Sequence, residues 1–138
     1  MTIEFNIVTE LAEGGSLYDK RSLERFEHRA LQKAFYEICL ALKYMKDNNV
    51  IQRDLKTQNI LLTKDLTIKI ADFGLAKNLS TLSKMASTWC GTPITMAPEV
   101  IAGKKYTFSA DMWSLGCILY ELHTGISPFL TVSGESID

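Results

Sequence analysis

The chain has 138 residues, enough for one domain that buries roughly two-thirds of the surface its unfolded form exposes. A content of 46% hydrophobic and 22% charged residues excludes a disordered chain, and a net charge of −1 gives no footing for nucleic acid or an acidic membrane as partner. Cys39, Cys90 and Cys117 lack metal-ligand spacing and leave one thiol over if two pair, which reads as reduced packing residues of an intracellular protein.

Glu4 stands where a secretory leader needs basic and then apolar residues, and no run reaches the eighteen apolar residues of a membrane span. The cytosol or nucleus is the expected location. In chain order, Ile3 to Leu11 is strand-like, and Gly14-Gly15-Ser16 breaks it before a short helix at about Ser16–Asp19. Leu31, Phe35, Ile38, Leu42 and Met45 recur at helical steps and predict one apolar stripe from about Glu27 to Lys46.

Short apolar runs follow at Val50-Ile51, Ile60 to Thr63 and Thr67 to Ala71, the last alternating as a half-buried strand does. Phe73 to Glu99 has little periodicity and reads as a long loop, functional or disordered. A second long helix is predicted from Ser109, taken as N-cap, to His123, with Gly125 near C′. Its apolar residues cover most of its circumference, so it needs cover on every side, and the thirteen or so residues after it are too few to supply that. His28 and His123 stand on helices without partner motifs and read as structural or surface residues.

Asp72-Phe73-Gly74 lies eighteen residues after Asp54 and thirteen after Asn59. Two carboxylates and a carboxamide on short loops can hold a divalent metal and position a hydroxyl, which is the equipment of phosphoryl transfer. Ile51-Gln52-Arg53-Asp54-Leu55-Lys56-Thr57-Gln58-Asn59 resembles the protein-kinase catalytic loop, and Asp72-Phe73-Gly74 resembles the family's metal-binding motif. Thr92-Pro93, Met96-Ala97-Pro98-Glu99 and Asp111-Met112-Trp113-Ser114-Leu115-Gly116 resemble, in family order, the end of the activation segment and the start of the large lobe's central helix. Lys56 and Gly91-Thr92-Pro93 resemble the serine/threonine type, with a pattern similar to NIMA-related kinases.

The resemblance implies an α+β, partial protein-kinase-like fold. Residues 1–13 would be the last small-lobe strand and hinge, and residues 14–138 an incomplete, mainly helical large lobe with short β-hairpins at the active site. It implies ATP and Mg²⁺ as cofactors and a protein substrate with Ser or Thr. Asp54 would be the catalytic base and Lys56 would face the γ-phosphate, while Asn59 and Asp72 would be metal ligands. Gly74 would permit the turn that Asp72 needs. Thr9 would be the gatekeeper, the backbones of Glu10 and Ala12 would meet the adenine edge, and Leu61 would floor its pocket. Thr92 would stand at the substrate pocket, and Asp111 would hold the catalytic loop from beneath. Thr88 would be a phosphosite answering to Arg53 and Lys77, written by an upstream kinase or in trans by a second copy.

Gln52 departs from the family's histidine, which stacks beneath the residue equivalent to Phe73; an amide there implies poorer stacking and weaker coupling of the active arrangement. Ile94-Thr95 replaces the usual aromatic-containing pair of the substrate pocket. No Gly-rich loop, phosphate-pairing lysine or partnering glutamate helix is found ahead of the hinge-like segment, and no arginine to pair Glu99. The expectation is therefore a kinase chain without turnover on its own and prone to aggregate through the second long helix. The competing reading is a truncated, non-catalytic interaction or regulatory fragment.

Overall fold

The computed structural model describes residues 6–21, 27–79, 86 and 90–129. The first helix, α1 (Leu17–Arg21), starts from a reciprocal cap. The Asp19 N–H donates to Ser16 Oγ (3.1 Å), while Ser16 N and Oγ both donate to the Asp19 carboxylate, at 3.0 and 2.6 Å. Those bonds hold the Asp19 carboxyl below its ordinary range. The expected strand does not form in its described part. Residues 6–12 take no regular secondary structure, with Ile7 91% and Val8 94% exposed, because a strand needs a hydrogen-bonded neighbour and none lies alongside among the described residues.

The long helix α2 (His28–Asp47) follows the predicted span closely, but its stripe is shifted. Ala34, Ile38, Leu42 and Met45 are buried, and Phe35 is left exposed at 40% because the face turned to the core runs through Ala34. Asn48 ends the helix by donating its N–H and its side-chain amide to the Tyr44 carbonyl, and Asn49 turns the chain with φ 58°.

Strands β1 (Val50–Ile51), β2 (Ile60–Leu62), β3 (Ile68–Ile70) and β4 (Lys77–Asn78) form two antiparallel pairs. β2 and β3 make a hairpin with Ile60 opposite Ile70, Leu61 opposite Lys69 and Leu62 opposite Ile68. β1 pairs with β4, Ile51 opposite Lys77. Gly14 donates to the Leu62 carbonyl at 2.8 Å, so close that a Cβ there would stand 2.7 Å from Leu62. That contact pins the segment before α1 to the hairpin.

The loop expected from Phe73 to Glu99 carries structure: β4, 3-10 turns at Phe73–Leu75 and Pro93–Thr95, and α3 (Pro98–Ile101). Elements of two to four residues are too short to show a period, which is why the pattern missed them. Helix α4 (Ser109–Thr124) ends as expected, with Gly125 at φ 83° donating to the Glu121 carbonyl. Its start is corrected: Ser109 is the first helical residue and not the cap, and its N–H lies 3.5 Å from Thr107 Oγ1.

Two cores result. Ile38, Leu42 and Met45 of α2 meet Leu115, Ile118 and Leu122 of α4 over Leu55, Ile60 and Leu62. The second gathers Ile51, Leu79, Met96, Val100, Tyr106 and Ala110 beneath the segment leading to α3. The outer face of α4 stays open, with Met112 53% and Tyr120 47% exposed and Trp113 stacked on Phe129. No described helix is long and apolar enough to cross a membrane.

Candidate active site

The loop from Gln52 to Asn59 is fixed from below before it presents anything above. Leu55 and Thr57 are fully buried, and Thr57 Oγ1 donates to Glu121 Oε2 at 3.1 Å, tying the loop to α4. Asp111, also on α4, accepts the N–H of Gln52 at 2.9 Å and of Arg53 at 3.0 Å, which is the support expected of it. Burial pushes the Asp111 carboxyl up, against the two N–H bonds and the Arg53 charge that favour its ionised form. Arg53 sits at φ 70°, and Gly91, at φ 116°, passes over its carbonyl so closely that a Cβ would lie 2.4 Å from that oxygen.

Held this way, Asp54 is the centre of a saturated network. Its Oδ2 accepts from Lys56 Nζ at 2.7 Å and from Asn59 Nδ2 at 3.1 Å, and its Oδ1 accepts from Thr92 Oγ1 at 2.6 Å. Lys56 Nζ also reaches Thr92 Oγ1 at 2.9 Å, closing a triangle. Burial raises the Asp54 carboxyl, but the bonds from Lys56, Thr92 and Asn59 and the Lys56 charge outweigh it and leave the group below its ordinary value. Asp54 is therefore held in its ionised, hydrogen-bond-accepting form. Sequence reasoning put Thr92 at the substrate pocket and missed its bond to Asp54; a contact across thirty-eight residues leaves no local signal.

The β2–β3 hairpin brings Asn59 and Asp72 to one end, since the Ala71 N–H donates to the Asn59 carbonyl at 2.8 Å. Asn59 commits Nδ2 to the Asp54 carbonyl and carboxylate, and its Oδ1 has no partner among the described residues. Asp72 is exposed, in the left-handed region at φ 57°, and its Oδ1 accepts from Gly74 N at 3.2 Å. The left-handed turn falls on Asp72 itself. Gly74 supplies space instead, because a Cβ there would crowd the Asp72 carboxylate at 3.1 Å.

A cleft of about 710 Å³ opens beside Asp72. Thr9, Glu10, Ala12 and Leu61 line it together with Ile70, Ala71 and Phe73, so all four residues expected at the adenine end share this cavity. Lys69 lines it as well, unforeseen in the sequence. Its place opposite Leu61 in the ladder puts both on one face, and its ammonium pairs with Glu10 at 3.0 Å.

Thr88 lies outside the described residues. Lys77 stands on β4 opposite Ile51, two residues from Arg53 along the neighbouring strand and loop. The Arg53 guanidinium donates to the Leu75 carbonyl at 2.5 Å and lies 3.5 Å from the Tyr106 hydroxyl. Gln52, fully buried, donates Nε2 to the carbonyls of Ala71 and Asp72 at 2.9 and 2.8 Å. Phe73 is half exposed.

No cluster of three or more His, Cys, Asp or Glu able to hold a metal occurs among the described residues. One carboxylate and one amide oxygen suit a hard cation that keeps waters and takes its other oxygens from phosphates, as Mg²⁺ does.

Residues 2–138 match the family described as the protein kinase domain. Over 126 residues the chain is 48% identical to protein kinase C delta type of Homo sapiens, covering 88% of this chain and 18% of that protein. Over 121 residues it is 41% identical to serine/threonine-protein kinase Nek1 of Mus musculus, covering 86% of this chain and 10% of that protein. Over 124 residues it is 43% identical to cAMP-dependent protein kinase type 3 of Saccharomyces cerevisiae, covering 89% and 30%. The NIMA-like similarity thus stands beside an equally close likeness to protein kinase C, and the chain spans between a tenth and a third of these relatives. Members of the family use ATP and Mg²⁺ and act on proteins. With its network of Asp54, Lys56, Asn59 and Thr92 beside Asp72, the chain belongs to the protein kinase domain family, among the serine/threonine kinases.

Proposed function

We propose that this chain supplies the floor of an active site that moves the γ-phosphate of ATP to a Ser or Thr hydroxyl of a protein. The observation that carries the reading is the Asp54–Lys56–Thr92–Asn59 network, joined through the Asn59 carbonyl to the N–H of Ala71, which lines the cleft beside Asp72. The ring system of ATP lies over Leu61 against Thr9, Glu10 and Ala12, and the phosphates run toward Asp72. Asn59 Oδ1 and the Asp72 carboxylate would hold Mg²⁺, which supplies neutralisation of phosphate charge.

Asp54 accepts a hydrogen bond from the substrate hydroxyl and orients its oxygen toward the γ-phosphorus; as that P–O bond forms, the bond to ADP breaks and the hydroxyl proton passes to the carboxylate. Lys56 places its charge beside the transferring group, and Thr92 exchanges its bond to Asp54 for the incoming hydroxyl. Phosphorylation at Thr88, by an upstream kinase or a second copy, adds an anion for Arg53 and Lys77; loss of activation in a Thr88→Ala protein is the expected result. The cytosol or nucleus is the proposed location.

The test is calorimetric titration of the chain with ATP, with and without Mg²⁺. Binding that strengthens with Mg²⁺ in the wild type and loses that gain in Asp72→Asn supports the reading. Absence of nucleotide binding, or a metal effect unchanged in Asp72→Asn, overturns it and leaves the interaction fragment.

A further inference from the structure

Gln52 has no water-exposed surface, yet it carries a carboxamide, and a buried amide must find partners or lose their worth. Its two Nε2 hydrogens are spent on consecutive carbonyls, those of Ala71 and Asp72. Its Oε1 is buried with no partner among the described residues. Two carbonyl acceptors fix the orientation of the amide, since the opposite one would set three oxygens against each other. The same residue's backbone N–H is held by Asp111 at 2.9 Å. Gln52 thus joins the buried support on α4 to the backbone of Asp72, a non-glycine residue in the left-handed region that reverts unless its surroundings hold it.

We infer that Gln52 is a positioning residue that clamps the Asp72 peptide and so sets the carboxylate where a nucleotide-bound divalent cation meets it. An amide suits this because its two N–H donors span two adjacent carbonyls, whereas a neutral imidazole has a single donor. The unpartnered Oε1 is the cost of that choice. The expected loss of stacking on Phe73 is offset by hydrogen bonding to the backbone on either side of Asp72. The inference rests on the phosphoryl-transfer reading for the cation, and on the geometry alone for the clamp.

The test compares wild type, Gln52→Leu, which keeps the bulk without donors, and Gln52→His, which keeps one donor. Affinities for ATP alone and for Mn²⁺·ATP are measured at one pH, together with amide hydrogen exchange at Ala71 and Ala76, with Leu62 as reference. The expected result is Mn²⁺·ATP binding weakened at least tenfold in Gln52→Leu, with ATP alone within twofold and Gln52→His between. Exchange at Ala71 and Ala76 rises while that at Leu62 holds. Equal Mn²⁺·ATP binding and unchanged exchange in Gln52→Leu would overturn the inference, as would loss of protection everywhere in both variants, which makes Gln52 an ordinary core residue. If wild type itself ignores both nucleotide forms, the phosphoryl-transfer reading falls, and exchange at Ala71 and Ala76 still decides the clamp.

Discussion

Thr92 donates its hydroxyl to Asp54 at 2.6 Å, so the residue that closes the activation segment occupies an acceptor position on the carboxylate at the centre of the site. Removing that donor in Thr92→Val leaves burial less opposed, and Asp54 will titrate at a higher pH than in wild type; Thr92→Ser will not shift it. The depressed folded value means that Asp54 stabilises the fold above its ordinary 3.8 and loses that contribution as pH falls through the folded value. Thr92→Val narrows this acid-side loss. Carboxyl ¹³C titration of the two variants checks both statements.

Asp111 has the opposite sign. Burial raises its folded value above 3.8, so its contribution is full below that pH and is lost as pH rises through the folded value. Asp111→Asn removes this falling limb, which urea midpoints followed upward in pH from 3.8 will show. Asp111→Ala strands the N–H groups of Gln52 and Arg53 and is expected to cost about 2–4 kcal/mol.

Gly91 tests the close passage of the activation segment over the catalytic loop. Its φ of 116° and the 2.4 Å approach to the Arg53 carbonyl predict that Gly91→Ala costs about 2 kcal/mol or more. Gly103, at φ 64° with nothing within 4 Å, is the control, and Gly103→Ala should cost only about 1 kcal/mol. Urea unfolding of both proteins gives the difference.

Ile118 is fully buried where α4 faces α2. Ile118→Ala is expected to lower stability by about 2–5 kcal/mol in urea unfolding, with the slope unchanged.

The parts of the site that stand close in sequence were legible there. Asp54, Lys56 and Asn59 share one loop, and Asp72 follows across a single hairpin, so their spacing survives folding. The two long helices were legible because sixteen to twenty residues carry enough turns to show a period. What the sequence hid depends on pairing. Lys69 lines the cleft only because it faces Leu61 across the hairpin. β4 has two residues and meets β1 from far along the chain, Val50 against Asn78 being twenty-eight positions apart and Ile51 against Lys77 twenty-six. The strand expected from Ile3 to Leu11 had the right composition, and its described part has no strand neighbour among the described residues. Phe35 looked like core until the helix turned Ala34 inward.

A cation carried by ATP would sit between Asn59 and Asp72, the two residues proposed to hold it. Paramagnetic broadening of backbone amide signals by Mn²⁺, added to the chain with ATP, measures this most directly. The amides of Asn59, Ile60, Ala71, Asp72 and Phe73 are expected to broaden first, and Asp72→Asn to abolish the pattern while ATP alone still shifts Leu61. Broadening centred elsewhere, or unchanged in Asp72→Asn, would contradict it.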